Sequence, residues 1–209
     1  MRLLVIDTAL DACTAAVAQD GAVLAALSEP MARGHQERLA PLAQEAMAAS
    51  GLSFEALDRI GVTVGPGSFT GLRVGLAFAK GLGLALDRPV VGIGVLDALA
   101  ASTPGPGLTV AAIDARREQV YLRRFRDGAP LEAPAALSLD DAVDRIGEAR
   151  VRLVGSGAPL LAARLPRATV VPVTAPSPEA LVTLAETAMG PASPMYLRAP
   201  DAKPPRARP

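Results

Sequence analysis

Tryptophan is absent, and the chain holds one cysteine, one histidine, two tyrosines and four phenylalanines. A single cysteine, Cys13, excludes an internal disulfide and fits a reducing compartment. A lone His35 excludes a helical pair of histidine metal ligands, because the position four residues on is Leu39. No Ser-His-Asp or Cys-His arrangement can be assembled around it. Excess charge is missing too: 21 basic and 21 acidic residues cancel. A dominant nucleic-acid-binding surface usually shows a basic excess, so any role with nucleic acid is expected to be indirect. The N-terminus, Met1-Arg2-Leu3-Leu4-Val5-Ile6-Asp7, meets an acid too soon for the apolar stretch of a signal peptide. A cytoplasmic location without a membrane anchor is expected.

What the chain does have is aliphatic bulk. Half of its 209 residues are hydrophobic, enough for one large domain or two small ones with an Ala-rich core. A faint internal repeat points to two. Leu3-Leu4-Val5-Ile6-Asp7 and Val110-Ala111-Ala112-Ile113-Asp114 are apolar runs ending in an acid. Each leads through a second strand pattern to Asp-Gly, at Asp20-Gly21 and Asp127-Gly128, and the interval from strand-end Asp to turn Asp is 13 residues in both. Asp-Gly between strand-like runs is a hairpin signal. The pattern predicts an α/β protein of two halves: a first lobe over 1–103, a second over 104–198, and a Pro-rich basic tail over 199–209 expected to be disordered. Thr103-Pro104-Gly105-Pro106-Gly107 is the linker. Helical spacing predicts helices over 36–49, 95–101, 139–146, 159–164 and 178–189. Pro41 is expected to move the first start toward Leu39.

The densest stretch runs from Gly65 to Leu86. Ile60, Val62 and Val64 read as a strand, Gly65-Pro66-Gly67 as a turn, and Ser68 or Thr70 as the cap of a long apolar helix. Gly71, Gly75, Ala79 and Gly83 recur every four residues and so share one face. Leu72, Leu76 and Leu84 form one neighbouring row, and Val74, Phe78 and Leu82 another. A midhelix glycine costs up to about 1 kcal/mol relative to alanine, so packing must recover that loss. A helix apolar all round is covered all round, which suggests a partner on the side its own domain leaves bare. Arg73 and Lys80 interrupt it as a membrane span. A core helix packed wholly inside its own chain stands as the alternative. The glycines at 65, 67 and 71 miss the dinucleotide fingerprint, because Thr70 stands where its last glycine belongs.

Asp7 with Thr8 in one half, and Asp114 in the other, could hold Mg²⁺ and a phosphate between facing hairpins. Phosphate hairpins need glycine where the backbone nears the phosphate. None lies between Asp7 and Asp20 or between Asp114 and Asp127; Arg116, Arg117 and Glu118 fill the second turn. Gly155-Ser156-Gly157 could approach a base or simply turn a strand into a helix. The clamp reads as degraded.

Gly65-Pro66-Gly67-Ser68-Phe69-Thr70-Gly71-Leu72-Arg73 resembles the signature of the TsaB (YeaZ) family. Ile6-Asp7-Thr8, His35, Asp114-Ala115-Arg116-Arg117-Glu118-Gln119-Val120-Tyr121 and Pro194-Met195-Tyr196-Leu197-Arg198 extend the resemblance along nearly the whole chain. Ala9 departs from it, since serine is more usual there. The resemblance implies a two-lobed actin-like ATPase (ASKHA) fold. It implies a catalytically silent subunit that pairs through its first lobe with TsaD, which transfers threonylcarbamoyl to adenosine 37 of ANN-decoding tRNAs. TsaE joins that complex, ATP and Mg are used by the partners, and this chain needs no cofactor or metal. A homodimer forms when TsaD is absent. The expected interface is Gly71, Leu72, Val74, Gly75, Phe78, Ala79, Leu82 and Gly83, and the expected vestigial nucleotide site is Asp7, Thr8, Asp114, Gly155 and Gly157. An ATP-dependent small-molecule kinase or a glycoprotease-like peptidase of the same fold is the alternative.

Overall fold

Residues 1–198 are described in a computed structural model. The chain opens with β1 (Arg2–Asp7), β2 (Ala12–Gln19) and β3 (Ala22–Pro30), then α1 (His35–Ser50), β4 (Arg59–Gly65), α2 (Phe69–Leu86), β5 (Val90–Gly94) and α3 (Val95–Ala101). It continues with β6 (Leu108–Arg116), β7 (Gln119–Arg126), β8 (Ala129–Pro130), β9 (Ala135–Ser138), α4 (Leu139–Ile146), β10 (Val151–Val154), α5 (Ala158–Ala162), β11 (Ala168–Val170) and α6 (Pro178–Thr187).

The duplication is real. One sheet runs β3-β2-β1-β4-β5 and the other β11-β10-β6-β7-β8, with β9 also on β7. Each half therefore contributes three antiparallel strands followed by two parallel ones in the same spatial order. The turn acids Asp20 and Asp127 both adopt the left-handed conformation that an Asp-Gly hairpin requires.

Strand alternation places Leu4 and Ile6 on one face of the first sheet and Leu3 and Val5 on the other. The first face is covered by α1 and α2 through Leu39, Leu42, Ala46, Leu76 and Ala79. Helix α1 starts at His35, not near Leu39, and runs through Pro41. Burial of His35, Leu39 and Leu42 on the sheet offsets the bond the proline forfeits. The second sheet packs α4 and α5 against Val110, Ala112, Leu122 and Leu153. Between the sheets, Val95, Leu96 and Leu99 of α3 join Ala111, Ile113 and Val154 in one apolar cluster.

One boundary differs from the sequence expectation. Helix α6, assigned to the second lobe by chain order, covers the outer face of the first sheet through Leu181, Val182 and Ala185. The first sheet is apolar on both faces and needs a second cover, which nothing in residues 1–103 supplies except part of α3. The Arg59 guanidinium gathers the carbonyls of Ala185, Glu186 and Ala188, tying the α6 C-terminus to the start of β4. The tail expected over 199–209 lies outside the described residues.

Candidate functional site

The N-terminus of α2 is buckled onto the loop that follows β1. Ser68 caps the helix, its Oγ accepting from the Gly71 N–H at 3.2 Å, and its own N–H donates to the Ala9 carbonyl at 2.7 Å. Thr70 is exposed and caps nothing. Thr8 Oγ1 donates to the Gly71 carbonyl at 2.8 Å. A Cβ would lie 2.4 Å from the Ala9 carbonyl oxygen at Gly67, 2.0 Å from the Thr8 carbonyl oxygen at Gly71, and 2.5 Å from Thr8 Oγ1 at Gly75. At Gly83 it would meet Val90 at 2.3 Å. The motif glycines serve backbone approach inside the chain.

This overturns part of the expected interface. Gly71, Leu72, Gly75, Ala79 and Gly83 are buried against the chain's own first lobe. Spacing shows which residues share a face but not which way the face turns, and the closest backbone approach available was the chain's own sheet. Of the remaining expected residues, Leu82 is half-buried against the first core, while Val74 and Phe78 edge a groove between α1 and α2. That groove has a volume of about 520 Å³ and is also lined by Gln36, Leu39, Phe69, Arg73 and Ala77.

The outward face of α2 carries residues outside the expected interface. Leu84 is 87% exposed and Phe69 55% exposed. The Arg73 guanidinium sits 3.7 Å from the centre of the Phe69 ring, and its Nε reaches the Tyr196 hydroxyl at 3.4 Å. Phe69 and Tyr196 pack with ring centres 5.7 Å apart, bringing the C-terminal segment to the head of the helix. Met195 N–H also donates to the Val64 carbonyl. Leu84 belonged to a recognised apolar row, and its isolation from the other leucines of that row was the available signal.

The expected nucleotide residues do not converge. Asp7 is fully buried, and its Oδ1 accepts from the Ala9 N–H at 2.9 Å and the Thr63 hydroxyl at 2.7 Å. Among the described residues its Oδ2 has no partner. Burial pushes the Asp7 carboxyl above the usual range, against the pull of those two donors. Thr8 is buried and committed to Gly71. Only Asp114 reaches the cleft between the lobes, a space of about 520 Å³ shared with Ala9, Ser68, Arg116, Tyr121 and Ser156. Arg116 occupies Asp114 with both its N–H and its guanidinium. Gly155 and Gly157 are turn residues: a Cβ at Gly155 would lie 2.3 Å from the Ala112 carbonyl oxygen, to which the Gly157 N–H donates. Gly157 packs on Ala112 of β6 much as Gly67 packs on Ala9 after β1. Among the described residues no three His, Cys, Asp or Glu side chains come together.

Two lobes of one repeated sheet order, meeting at a cleft, define an actin-like ATPase fold. The family model described as TsaD, tRNA N6-adenosine threonylcarbamoyltransferase, matches residues 27–165. An uncharacterized protein of Mycobacterium tuberculosis is 43% identical over 206 residues, 97% of this chain and 94% of that one. The Escherichia coli tRNA threonylcarbamoyladenosine biosynthesis protein TsaB is 38% identical over 129 residues, covering 60% of this chain and 55% of that protein. The solved structure of YeaZ from Pseudomonas aeruginosa superposes with a TM-score of 0.82 at 29% identity, covering 94% of this chain and 99% of that one. The chain belongs to the TsaD family, among its TsaB (YeaZ) members.

Proposed function

We infer that this chain takes part in tRNA threonylcarbamoyladenosine biosynthesis as a non-catalytic scaffold that pairs with a TsaD-type transferase. One observation carries the reading. Helix α2 buries its glycine face on its own sheet and leaves Phe69, Ala77 and Leu84 outward, interleaved with Arg73 and Lys80, beside the groove against α1. Large apolar side chains left bare beside an apolar groove mark an interaction site. The occupant is the corresponding helix pair of a paralogue, because the family model that matches this chain is the transferase's own. A second copy takes that place when the paralogue is absent. TsaE joins the pair, and ATP and Mg serve the partners; the modified adenosine 37 of ANN-decoding tRNAs lies in the partner's site.

A silent role is supported by the fate of the strand-end residues. Asp7 is spent on the Ala9 N–H and the Thr63 hydroxyl, Thr8 on holding α2, and Asp114 is held by Arg116. Affinity purification from host lysate with mass spectrometry tests the scaffold. Wild type should retain a larger chain of the same fold, and Ala77→Arg and Leu84→Arg should lose it while keeping the wild-type melting temperature. If wild type retains no such chain, the scaffold reading fails and the kinase and peptidase readings return.

A further inference from the structure

The second sheet ends in a group of arginines that no ion pair balances among the described residues. Val151 of β10 and Ala168 of β11 are partners in parallel register. Arg150 and Arg167 each stand one residue earlier, so they flank one another at the strand starts. At the same end of the sheet, Arg126 closes β7 opposite Leu108, the first residue of β6, on the other face of the pleat from Arg150 and Arg167. Like charges side by side on neighbouring strands repel, and local conflicts of this kind concentrate at functional sites. Among the described residues, the side chains of Arg126 and Arg150 make no ion pair or hydrogen bond, and Arg167 reaches only the Glu148 carbonyl at 3.4 Å.

A depression of about 520 Å³ opens at this edge, with Arg150, Arg152 and Arg167 in its lining and no carboxylate. Arg152 forms part of its wall. It donates to Thr109 Oγ1 at 2.7 Å and to the Gly105 carbonyl at 3.2 Å, while its buried Nε has no partner among the described residues. The neighbouring acids are placed otherwise. Asp127 accepts the Gly107 N–H at 2.8 Å, and Glu148 and Asp144 line an adjoining depression that also touches Arg167.

We propose that this arginine edge binds the phosphate backbone of RNA. A guanidinium grips phosphate with two parallel N–H···O bonds and sheds water more readily than an ammonium. The depression crosses the starts of β6, β10 and β11, about 10 Å at about 4.8 Å per strand, more than one phosphate group needs. The open shape suits a polynucleotide crossing the edge better than an enclosed small anion. No aromatic residue lines the depression, so the contact positions RNA without reading bases. Zero net charge does not oppose this, because the charge is gathered locally. The proposal rests on the chain's part in tRNA modification, and it replaces an indirect tRNA role with a direct one.

The test is fluorescence anisotropy of a labelled ANN-decoding tRNA titrated with the full chain, from about 50 to about 200 mM salt. Inorganic pyrophosphate is titrated in parallel by calorimetry. Wild type should bind tRNA with a salt-dependent affinity. Arg150→Glu with Arg167→Glu should weaken it at least about tenfold and reduce the salt slope by about 2, one for each phosphate no longer neutralised. Arg33→Glu with Arg88→Glu changes net charge equally at exposed positions elsewhere and should leave the slope unchanged. Thermal melts confirm that both variants fold. The proposal is overturned if wild type shows no tRNA binding up to about 100 μM at the low-salt end. It is also overturned if both double variants weaken tRNA alike, or if the edge variant loses only pyrophosphate. The assay uses the isolated chain, so loss of the paralogue in the Leu84→Arg purification bears on the scaffold alone.

Discussion

Thr8 and Gly71 hold each other at two points: the Thr8 hydroxyl donates to the Gly71 carbonyl at 2.8 Å, and the Thr8 carbonyl oxygen sits 2.0 Å from where a Gly71 Cβ would stand. A residue type suited to phosphate contact at a strand end is used instead to seat a helix. The pair explains both the glycine and the loss of the nucleotide position.

Gly71→Ala should destabilise the protein by about 3 kcal/mol, since the clash is with backbone that cannot yield cheaply. That corresponds to a fall of roughly 6–12 °C in Tm. Gly81 lies in the same helix with nothing within 4 Å of its would-be Cβ. Gly81→Ala should raise stability by about 0.5–1 kcal/mol. Differential scanning calorimetry of the two variants reads opposite signs, and a similar loss in both would remove the packing argument.

Leu84→Arg should leave stability within about 0.5 kcal/mol, because its side chain is exposed. Any homodimer of the isolated chain should dissociate in the variant, which sedimentation velocity reports directly. An unchanged sedimentation coefficient in a dimeric sample would place the contact elsewhere.

Asp7 gives the pH dependence a definite sign. Burial raises its folded pKa above the ordinary value of 3.8. The folded state then holds the proton more tightly than the unfolded one, and its contribution is complete below that ordinary value. It is lost as pH rises toward the folded pKa. Asp7→Asn keeps an oxygen to accept from Ala9 and Thr63, so urea titrations should show the variant without this decline and more stable than wild type at neutral pH. A variant less stable than wild type there would mean that the ionised carboxylate is the favoured form.

Cys13 is buried and its thiol is pushed up to about 11, mainly by burial and further by Asp7 and Glu29. The thiolate is the reactive form, so a thiol-reactive dye should fail to label the native protein and label it once in guanidinium. Labelling of the native chain at neutral pH would show that β2 opens locally.

Periodicity and caps made much of the secondary structure legible. Helices over 95–101 and 139–146 have the predicted bounds, and Ser138 caps the latter through the Asp141 N–H. The repeat was legible because both hairpins need the same acid-glycine turn at the same distance from their first strand. The inward turn of the Gly71, Gly75, Ala79 and Gly83 face was not. Small residues at four-residue spacing permit close approach and are silent about what approaches. Nor could residue order reveal that Leu181, Val182 and Ala185 cover the first sheet, since any apolar face suits either half equally well. The arginine edge escaped notice because Arg126, Arg150 and Arg167 are far apart in sequence and reach one end of the sheet only through strand register.

Helix α6 lies across strands made at the opposite end of the chain, fastened there by Arg59. A chain emerging from the ribosome therefore carries Leu3, Val5, Ala16 and Ala18 without their cover until synthesis has passed Ala185. The first lobe is begun earliest and sealed last. Its sticky strands depend through most of translation on whatever in the cell shields unfinished proteins from one another.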